Sequence, residues 1–252
     1  MASLPVSVLL LARDESARLA ALLPHLVFAR EIVVVVDAAT RDDTRVVAEQ
    51  AGARVFERAL DGFGAQRRFA LAQCREPWVL WIDADETPAE GAATAIAAVL
   101  AAPSAEGYRL ERVTWFLGRR IRWCGWRGER VLRLFRRDAA SFDDRPVHET
   151  VRVEGMVADL DARLEHHSYE TWPDCVGKMT RYASAGAERA RRAGRRAGML
   201  DVLVRPPLRF LRMYVLQLGV LDGAHGLVLC ALAAAQVFLK YADLWARPGR
   251  PR

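Results

Sequence analysis

A chain of 252 residues can bury one large α/β core with or without an appendage, and a hydrophobic content of 52% excludes an intrinsically disordered protein. The formal charge of +6 and a pI near 9.5 favour an anionic partner, whether nucleic acid, anionic lipid or a phosphorylated substrate. Cys74, Cys124, Cys175 and Cys230 are widely spaced with no C-x-x-C pair, which argues against a zinc site or a disulfide framework and for buried thiols.

The opening "PVSVLLLARDE" has no basic n-region and no small-residue cleavage site, so it reads as a first strand and not as a signal peptide, with the cytoplasm as the expected compartment. "VSVLLLA" (6–12) and "EIVVVVD" (31–37) are strand-length runs separated by helical spacing at Leu19, Leu22, Leu23 and Leu26, which is a βαβ unit. A helix through "DDTRVVAEQAG" stopping at Gly52, a strand "ARVFER" and a helix "GAQRRFALAQC" follow. "WVLWIDAD" (78–85) is a continuous apolar run of the kind a central strand covered on both faces requires. This alternation predicts an α/β fold, a Rossmann-like, mostly parallel sheet flanked by helices, whose ligands gather at the carboxyl ends of its strands. Arg13, Asp37 and Asp83 fall at such ends.

In an extended segment Asp83 and Asp85 share one side. Two carboxylates there suit a hard divalent ion, Mg²⁺ or Mn²⁺, that keeps part of its shell for the oxygens of a nucleotide diphosphate. The competing reading is an acidic turn in which Glu86 or Thr87 caps a helix beginning near Pro88. From 107 to 170 short strands predict a mixed or antiparallel half, with Trp115, Trp123 and Trp126 in the connections. Trp123 and Trp126, in a glycine-flanked loop, suit stacking on the sugar faces of an acceptor; large aromatics are equally ordinary core material.

Residues 171–200 read as polar helices, and 205–245 as an apolar stretch interrupted by Gln217, Asp222, His225, Gln236 and Lys240. Its longest clean piece, "GLVLCALAAA", falls short of the roughly 20 residues a bilayer crossing takes, so a helix or hairpin lying in the interface is expected. Arginines 181, 189, 191, 192, 195, 196, 205, 209 and 212 form a basic collar beside it, suited to peripheral docking on the anionic inner leaflet. The alternative is a solvated helix face and a helical pair packed on the domain. No RNA-binding motif with aromatic platforms is present, so nucleic acid is not expected as the functional partner.

Taken in order and spacing, "PVSVLLLARDE", "EIVVVVDAATRDDT", "GFGAQRRFAL", "WVLWIDADE", "RPVHETV" and "LEHHSY" resemble family 2 glycosyltransferases, in the branch similar to bacterial lipopolysaccharide core β-glucosyltransferases. The resemblance runs from about residue 5 to 245. It implies a GT-A fold over 1–170, with a nucleotide-binding half (1–106) and an acceptor half (107–170), and a basic and apolar helical region over 171–252. It also implies an inverting transfer of a hexose from a nucleoside-diphosphate sugar, a UDP-sugar in the first instance, to a lipid-linked or lipopolysaccharide-core acceptor. By the same resemblance Asp37 holds the base, Asp83 the ribose and Asp85 the metal, with Glu15 and Gln66 bordering the nucleotide. His166 matches a histidine that completes the metal shell.

Displacement at an anomeric carbon needs one carboxylate to take the acceptor's proton. "FDDRPVHET" offers Asp143, Asp144 and Glu149, and the family pattern favours Glu149, with His148 to orient it and Arg145 as a further candidate of the catalytic group; the competing reading is a weak surface ion pair between Glu149 and Arg145. The chain departs from the family pattern at Asp14 and Arg68, where Asn is usual, and at Ala38 and Ala39, where Ser-Gly is usual. A nucleotidyltransferase is the competing enzyme class, but "ARDESARL" lacks the glycine-rich loop such enzymes carry after the first strand.

Overall fold

The computed structural model of the chain describes residues 3–142 and 151–247. Two compact units are present: residues 1–112 with 128–166, and residues 113–127 with 167–252.

The first unit opens with β1 (Leu4–Ala12), α1 (Ser16–Leu22), β2 (Ala29–Asp37), α2 (Thr44–Gln50), β3 (Arg54–Arg58), α3 (Phe63–Gln73) and β4 (Trp78–Trp81). It continues through β5 (Glu86–Pro88), α4 (Ala92–Ala101), β6 (Gly107–Phe116), β7 (Arg119–Arg120), β8 (Arg130–Arg136), β9 (Ala140–Phe142), β10 (Val151–Val153) and β11 (Val157–Tyr169), the later residues of β6 and β11 and all of β7 belonging to the second unit. The strand order is β3-β2-β1-β4-β8-β6-β11-β5. Strands β3, β2, β1 and β4 are parallel, and β8, β6 and β5 join through antiparallel pairings, so the mixed half lies where the short strands of 107–170 predict it.

The apolar runs of β1 and β2 are continuous because both faces are covered. Val8, Leu10, Val34 and Val36 pack with Leu19 and Leu22 of α1 and Ile96 of α4, while Leu9, Val33 and Val35 pack with Ala70 of α3 and with Phe142 and Val151 of the β9–β10 ribbon. Burying each such side chain contributes about 1.5–3 kcal/mol. Gly52, with φ +80, ends α2 as its sequence suggests.

Two local expectations are corrected. Strand β4 stops at Trp81, and Asp83 to Glu86 form a turn closed by the Glu86 amide donating to the Asp83 carbonyl at 2.9 Å, so Asp83 and Asp85 do not share the side of an extended segment. No helix starts near Pro88: residues 86–88 are a strand paired with β11, and α4 begins at Ala92 after the left-handed Gly91. Glu86 therefore caps nothing.

At the opposite end of the parallel strands, Glu31 accepts from the Ser7 hydroxyl, from the Arg75 amide at 2.8 Å and from Arg54, tying β1, β2 and β3 to the start of β4. Burial pushes its pKa up, but the Ser7, Arg75 and Arg54 donors outweigh that and hold it below the ordinary glutamate range.

In the second unit β7 pairs with Trp115 and Phe116 of β6. Three helices follow: α5 (Trp172–Arg192), α6 (Met199–Leu211) and α7 (Gly223–Ala246). Thr171 and Asp174 form a reciprocal capping box at the start of α5. Asp222, an acid within the apolar stretch, is buried and accepts from the Arg122 and Trp123 amides at 3.0 and 2.9 Å. Gly226 is required where α7 begins, since a Cβ there would lie 2.0 Å from the Gly219 carbonyl oxygen. All four cysteines are buried thiols.

The apolar stretch is longer as a helix than the sequence reading allows. Residues 219–246 are long and apolar enough to cross a membrane by length and composition, because Gln236 and Lys240 do not interrupt α7.

Glu31→Gln should destabilise the protein by about 1–3 kcal/mol at neutral pH, having weakened a carboxylate that three donors surround. A carboxylate with a depressed folded-state pKa contributes stability above the ordinary value of about 4.3 and loses it as pH falls. Urea denaturation at pH 7 and pH 3 should therefore show a large difference between variant and wild type at the first and a small one at the second.

Candidate functional site

The carboxyl ends of β1, β2 and β4 carry Arg13, Asp37 and Asp83. Asp37 ends β2 and is only 6% exposed. Its carboxylate accepts from Arg13 Nη1 at 3.2 Å and from the Ala39 amide at 3.1 Å, which fixes its rotamer before any ligand arrives. Asp14 sits at φ +53, a left-handed conformation that Asn and Asp tolerate best, which explains physically why Asp can stand where the family has Asn. Its Oδ1 accepts from the Arg41 amide at 2.7 Å.

Glu15 lies beside this rim, its amide donating to Thr44 Oγ1 at 2.8 Å and its carboxylate pairing with Arg18 at 2.9 Å. Gln66 reaches the same rim from α3, donating to the Arg58 carbonyl at 3.3 Å; that carbonyl also accepts from the Ala38 amide at 3.2 Å. Gln66 Oε1 is buried and has no hydrogen-bond partner, so an acceptor next to Asp37 stands ready for a donor.

The acidic turn after β4 is organised by a residue the sequence reading passed over. Arg133, on β8 and only 4% exposed, places Nη2 at 2.6 Å from both Asp83 Oδ2 and Glu86 Oε1. Glu86 is fully buried, with Arg112 at 3.7 Å and the Asp83 amide donating to it at 3.3 Å. Burial works against the charge of Arg133, but Asp83 and Glu86 together outweigh it and push its pKa up, so it stays a cation. Burial lifts the pKa of Glu86, opposed by Arg133. The Arg133 guanidinium lies 4.2 Å from the Trp81 ring centroid, and that of Arg67 lies 4.4 Å from it. Arg67, Trp81, Asp83, Arg112, Arg130 and Arg133 line a cavity of about 360 Å³. Sequence signalled Arg133 only faintly, as a cation inside the apolar run "VLRLF".

Asp85 turns the other way. Its Oδ2 lies 3.5 Å from Nε2 of His166, which stands opposite Glu86 in the β5–β11 pairing. The neighbouring His167, on the second unit, stacks instead on Trp115 at 5.6 Å and 15°. Asp85 and His166 together offer one hard oxygen and one imidazole nitrogen. That fits a divalent ion which takes most of its shell from ligand and water. Among the described residues no third His, Cys, Asp or Glu joins them, and Asp83 is directed at Arg133.

Trp123 and Trp126 belong to the second unit. Trp126 stacks on Tyr169 at 6.2 Å and packs against the apolar cluster around Phe116, and Arg127 lies over Trp123 at 4.6 Å. Arg145, His148 and Glu149, with Asp143 and Asp144, lie outside the described residues.

These features define a doubly wound α/β protein with acidic side chains gathered at the carboxyl ends of its parallel strands, where such sheets bind ligands. Residues 7–153 match the profile of Glycosyl transferase family 2, and the chain belongs to that family, with a GT-A-like fold and glycosyltransferase activity. It is similar to the lipopolysaccharide core biosynthesis glycosyltransferase LpsC of Rhizobium meliloti, 29% identical with 97% of this chain and 96% of LpsC covered. Solved structures with some likeness include Staphylococcus aureus TarS 1–349 in complex with UDP (15% identity, 96% of this chain and 90% of that chain, TM-score 0.47). Another is Mycobacterium tuberculosis glucosyl-3-phosphoglycerate synthase with Mn²⁺, UDP-glucose and phosphoglyceric acid (18% identity, 53% of this chain and 57% of that chain, TM-score 0.38).

Removing Arg133 takes the nearest cation from two carboxylates, one of them fully buried and left with Arg112 at 3.7 Å. Arg133→Met should cost about 3–5 kcal/mol. The double variant Arg133→Met/Glu86→Leu should recover a substantial part of that loss, a non-additivity that chemical denaturation of the four proteins in the cycle measures directly.

Proposed function

We propose that this glycosyltransferase moves a hexose, glucose in the first instance, from a UDP-sugar to a lipid-linked or lipopolysaccharide-core acceptor at the cytoplasmic membrane face, with inversion at the anomeric carbon. The observation that carries the reading is the split acidic turn: Asp83 clamped by buried Arg133 and Asp85 against His166, at the carboxyl ends of strands in a family 2 chain. The similarity to LpsC over nearly the full length of both chains supports the lipopolysaccharide-core acceptor. Residues 1–170 carry the transfer, and 171–252 the attachment to the membrane.

Asp37 binds the nucleobase, and Asp83 the ribose hydroxyls, with Arg13, Glu15 and Gln66 bordering the nucleotide. The prior ordering of Asp37 by Arg13 and Ala39, and of Asp83 by Arg133, lowers the entropy cost of binding. Asp85 and His166 would hold Mg²⁺ or Mn²⁺, which supplies positive charge to the leaving diphosphate. Glu149 accepts the proton of the acceptor hydroxyl as that oxygen forms its bond to the anomeric carbon on the face opposite the departing UDP. His148 orients Glu149, Arg145 is assigned to the same catalytic group, and Trp123 and Trp126 receive sugar faces of the acceptor.

A thermal-shift screen of UDP-, GDP- and ADP-sugars with and without Mn²⁺ tests the donor, with stabilisation by UDP-sugars plus Mn²⁺ as the expected result. Asp85→Ala should abolish the divalent-dependent part of UDP binding while leaving the fold intact. Glu149→Gln should retain UDP binding and lower transfer roughly 10²–10⁴-fold, the span general bases contribute. Calorimetry and UDP release read the two effects separately, and full activity of Glu149→Gln would move the base to Asp143 or Asp144.

A further inference from the structure

We infer that α6 and the turns that follow it, through Leu221, form a foot that lies flat in an anionic bilayer, so that the protein docks by an in-plane helix. The inference rests on the membrane-face reading above and assigns the surface responsible. Helix α6 buries little on its own: Val202 alone within it and Met213 in the next turn are packed inside. Leu200, Leu203, Leu208, Leu211, Val215 and Leu216 are all exposed, Leu200 by 76% and Leu216 by 78%. Their spacing keeps Leu200 to Val215 on one stripe, on the side of the helix away from Val202 and Met213. The stripe continues through Leu218, Val220 and Leu221, also exposed. A contiguous apolar face of this extent is rare on a soluble monomer and marks a surface that something covers.

Charge identifies the cover. Eight arginines and a single acid, Asp201, lie between residues 189 and 212. Arg205 and Arg212 run along α6 and its next turn at the edge of the apolar stripe, Arg209 lies on the packed side and lines a pocket with Trp126 and Tyr169, and Arg195 and Arg196 precede the helix. Asp201 is taken by Arg205, whereas Arg195, Arg196, Arg209 and Arg212 make no salt bridge with the described residues. A helix with leucines on one face and arginines flanking it suits the headgroup boundary, where the arginine stems follow the apolar surface and their heads reach phosphate. A second copy laid on the same stripe would bring two arginine rows together without a counter-charge. Helix α7 is long enough to span a bilayer, but it packs along both α5 and α6, with the Lys240 stem against Gly186 of α5, and a crossing would strip that packing.

Flotation of the full chain with vesicles of phosphatidylglycerol and phosphatidylethanolamine, against vesicles of phosphatidylcholine alone, tests the assignment. Binding is expected only to the anionic vesicles and should weaken with salt. Leu208→Glu/Leu211→Glu should reduce binding at least tenfold, and Arg196→Gln/Arg212→Gln roughly tenfold, since each charge near the surface is worth several-fold. Circular dichroism should be unchanged because all four side chains are exposed. Variants that bind as the wild type does would overturn the proposal, as would a wild-type dimer that Leu208→Glu/Leu211→Glu dissociates, or resistance to carbonate extraction, which would mean that α7 spans. UDP release from a UDP-sugar in the absence of vesicles reports separately on the transferase reading. Loss of that turnover with vesicle binding intact would sink the proposed donor and leave the foot standing.

Discussion

Placing Arg133 beneath the acidic turn is the constraint from which the site follows. Moving a guanidinium and a carboxylate out of water costs several kcal/mol per ion, so the arrangement persists only with close compensation. The compensation is a single nitrogen, Nη2, at 2.6 Å from Asp83 and at 2.6 Å from Glu86, with the Trp81 ring under the guanidinium. Because the cation comes from β8 and the anions from the turn after β4 and the first residue of β5, the clamp binds the antiparallel half of the sheet to the end of the parallel half. It also settles where the turn can go. With Glu86 drawn inward, residues 86–88 pair with β11, and that pairing brings His166 to Asp85.

Much of this architecture was legible in the sequence, for definite reasons. The runs 8–12 of β1 and 32–36 of β2 are apolar at every position because α1 and α4 cover one face and α3 with a small ribbon the other, and a sequence can display that without ambiguity. Gly52 announces the end of α2 by its conformation. Asp37, Asp83 and Asp85 could be picked out as acids placed after strands, and the family pattern separated His166 from His167, which the structure gives to different neighbours.

What stayed hidden were interactions set by residues distant in sequence. Two-residue periodicity places Asp83 and Asp85 together only if the strand continues, and a turn hydrogen bond from Glu86 ends it first. The partner that makes a turn preferable, Arg133, is 50 residues further on. Glu86 resembled a helix cap for the same reason: its role depends on a cation that no local pattern announces. In the second unit Gln236 and Lys240 looked like interruptions of an apolar run. A lysine stem laid over a glycine is compatible with a continuous helix, so α7 runs on past both.

The two units solve their hydrophobic problem differently, and the contrast bears on function. The first unit has enough covering elements to hide its strand runs completely, and its charged groups are paired where the sheet ends. The second has three long helices and one apolar cluster around Phe116, Cys124, Met213 and Leu229. That cluster takes only part of the available surface. Folding α6 the other way round would bury the leucine stripe only by exposing Val202 and Met213, which now pack inside. The sequence of α6 thus cannot satisfy both of its faces within the protein alone. An environment apolar on one side and anionic at its edge would satisfy both at once, which is the physical reason the exposed stripe is proposed as a bilayer-facing surface.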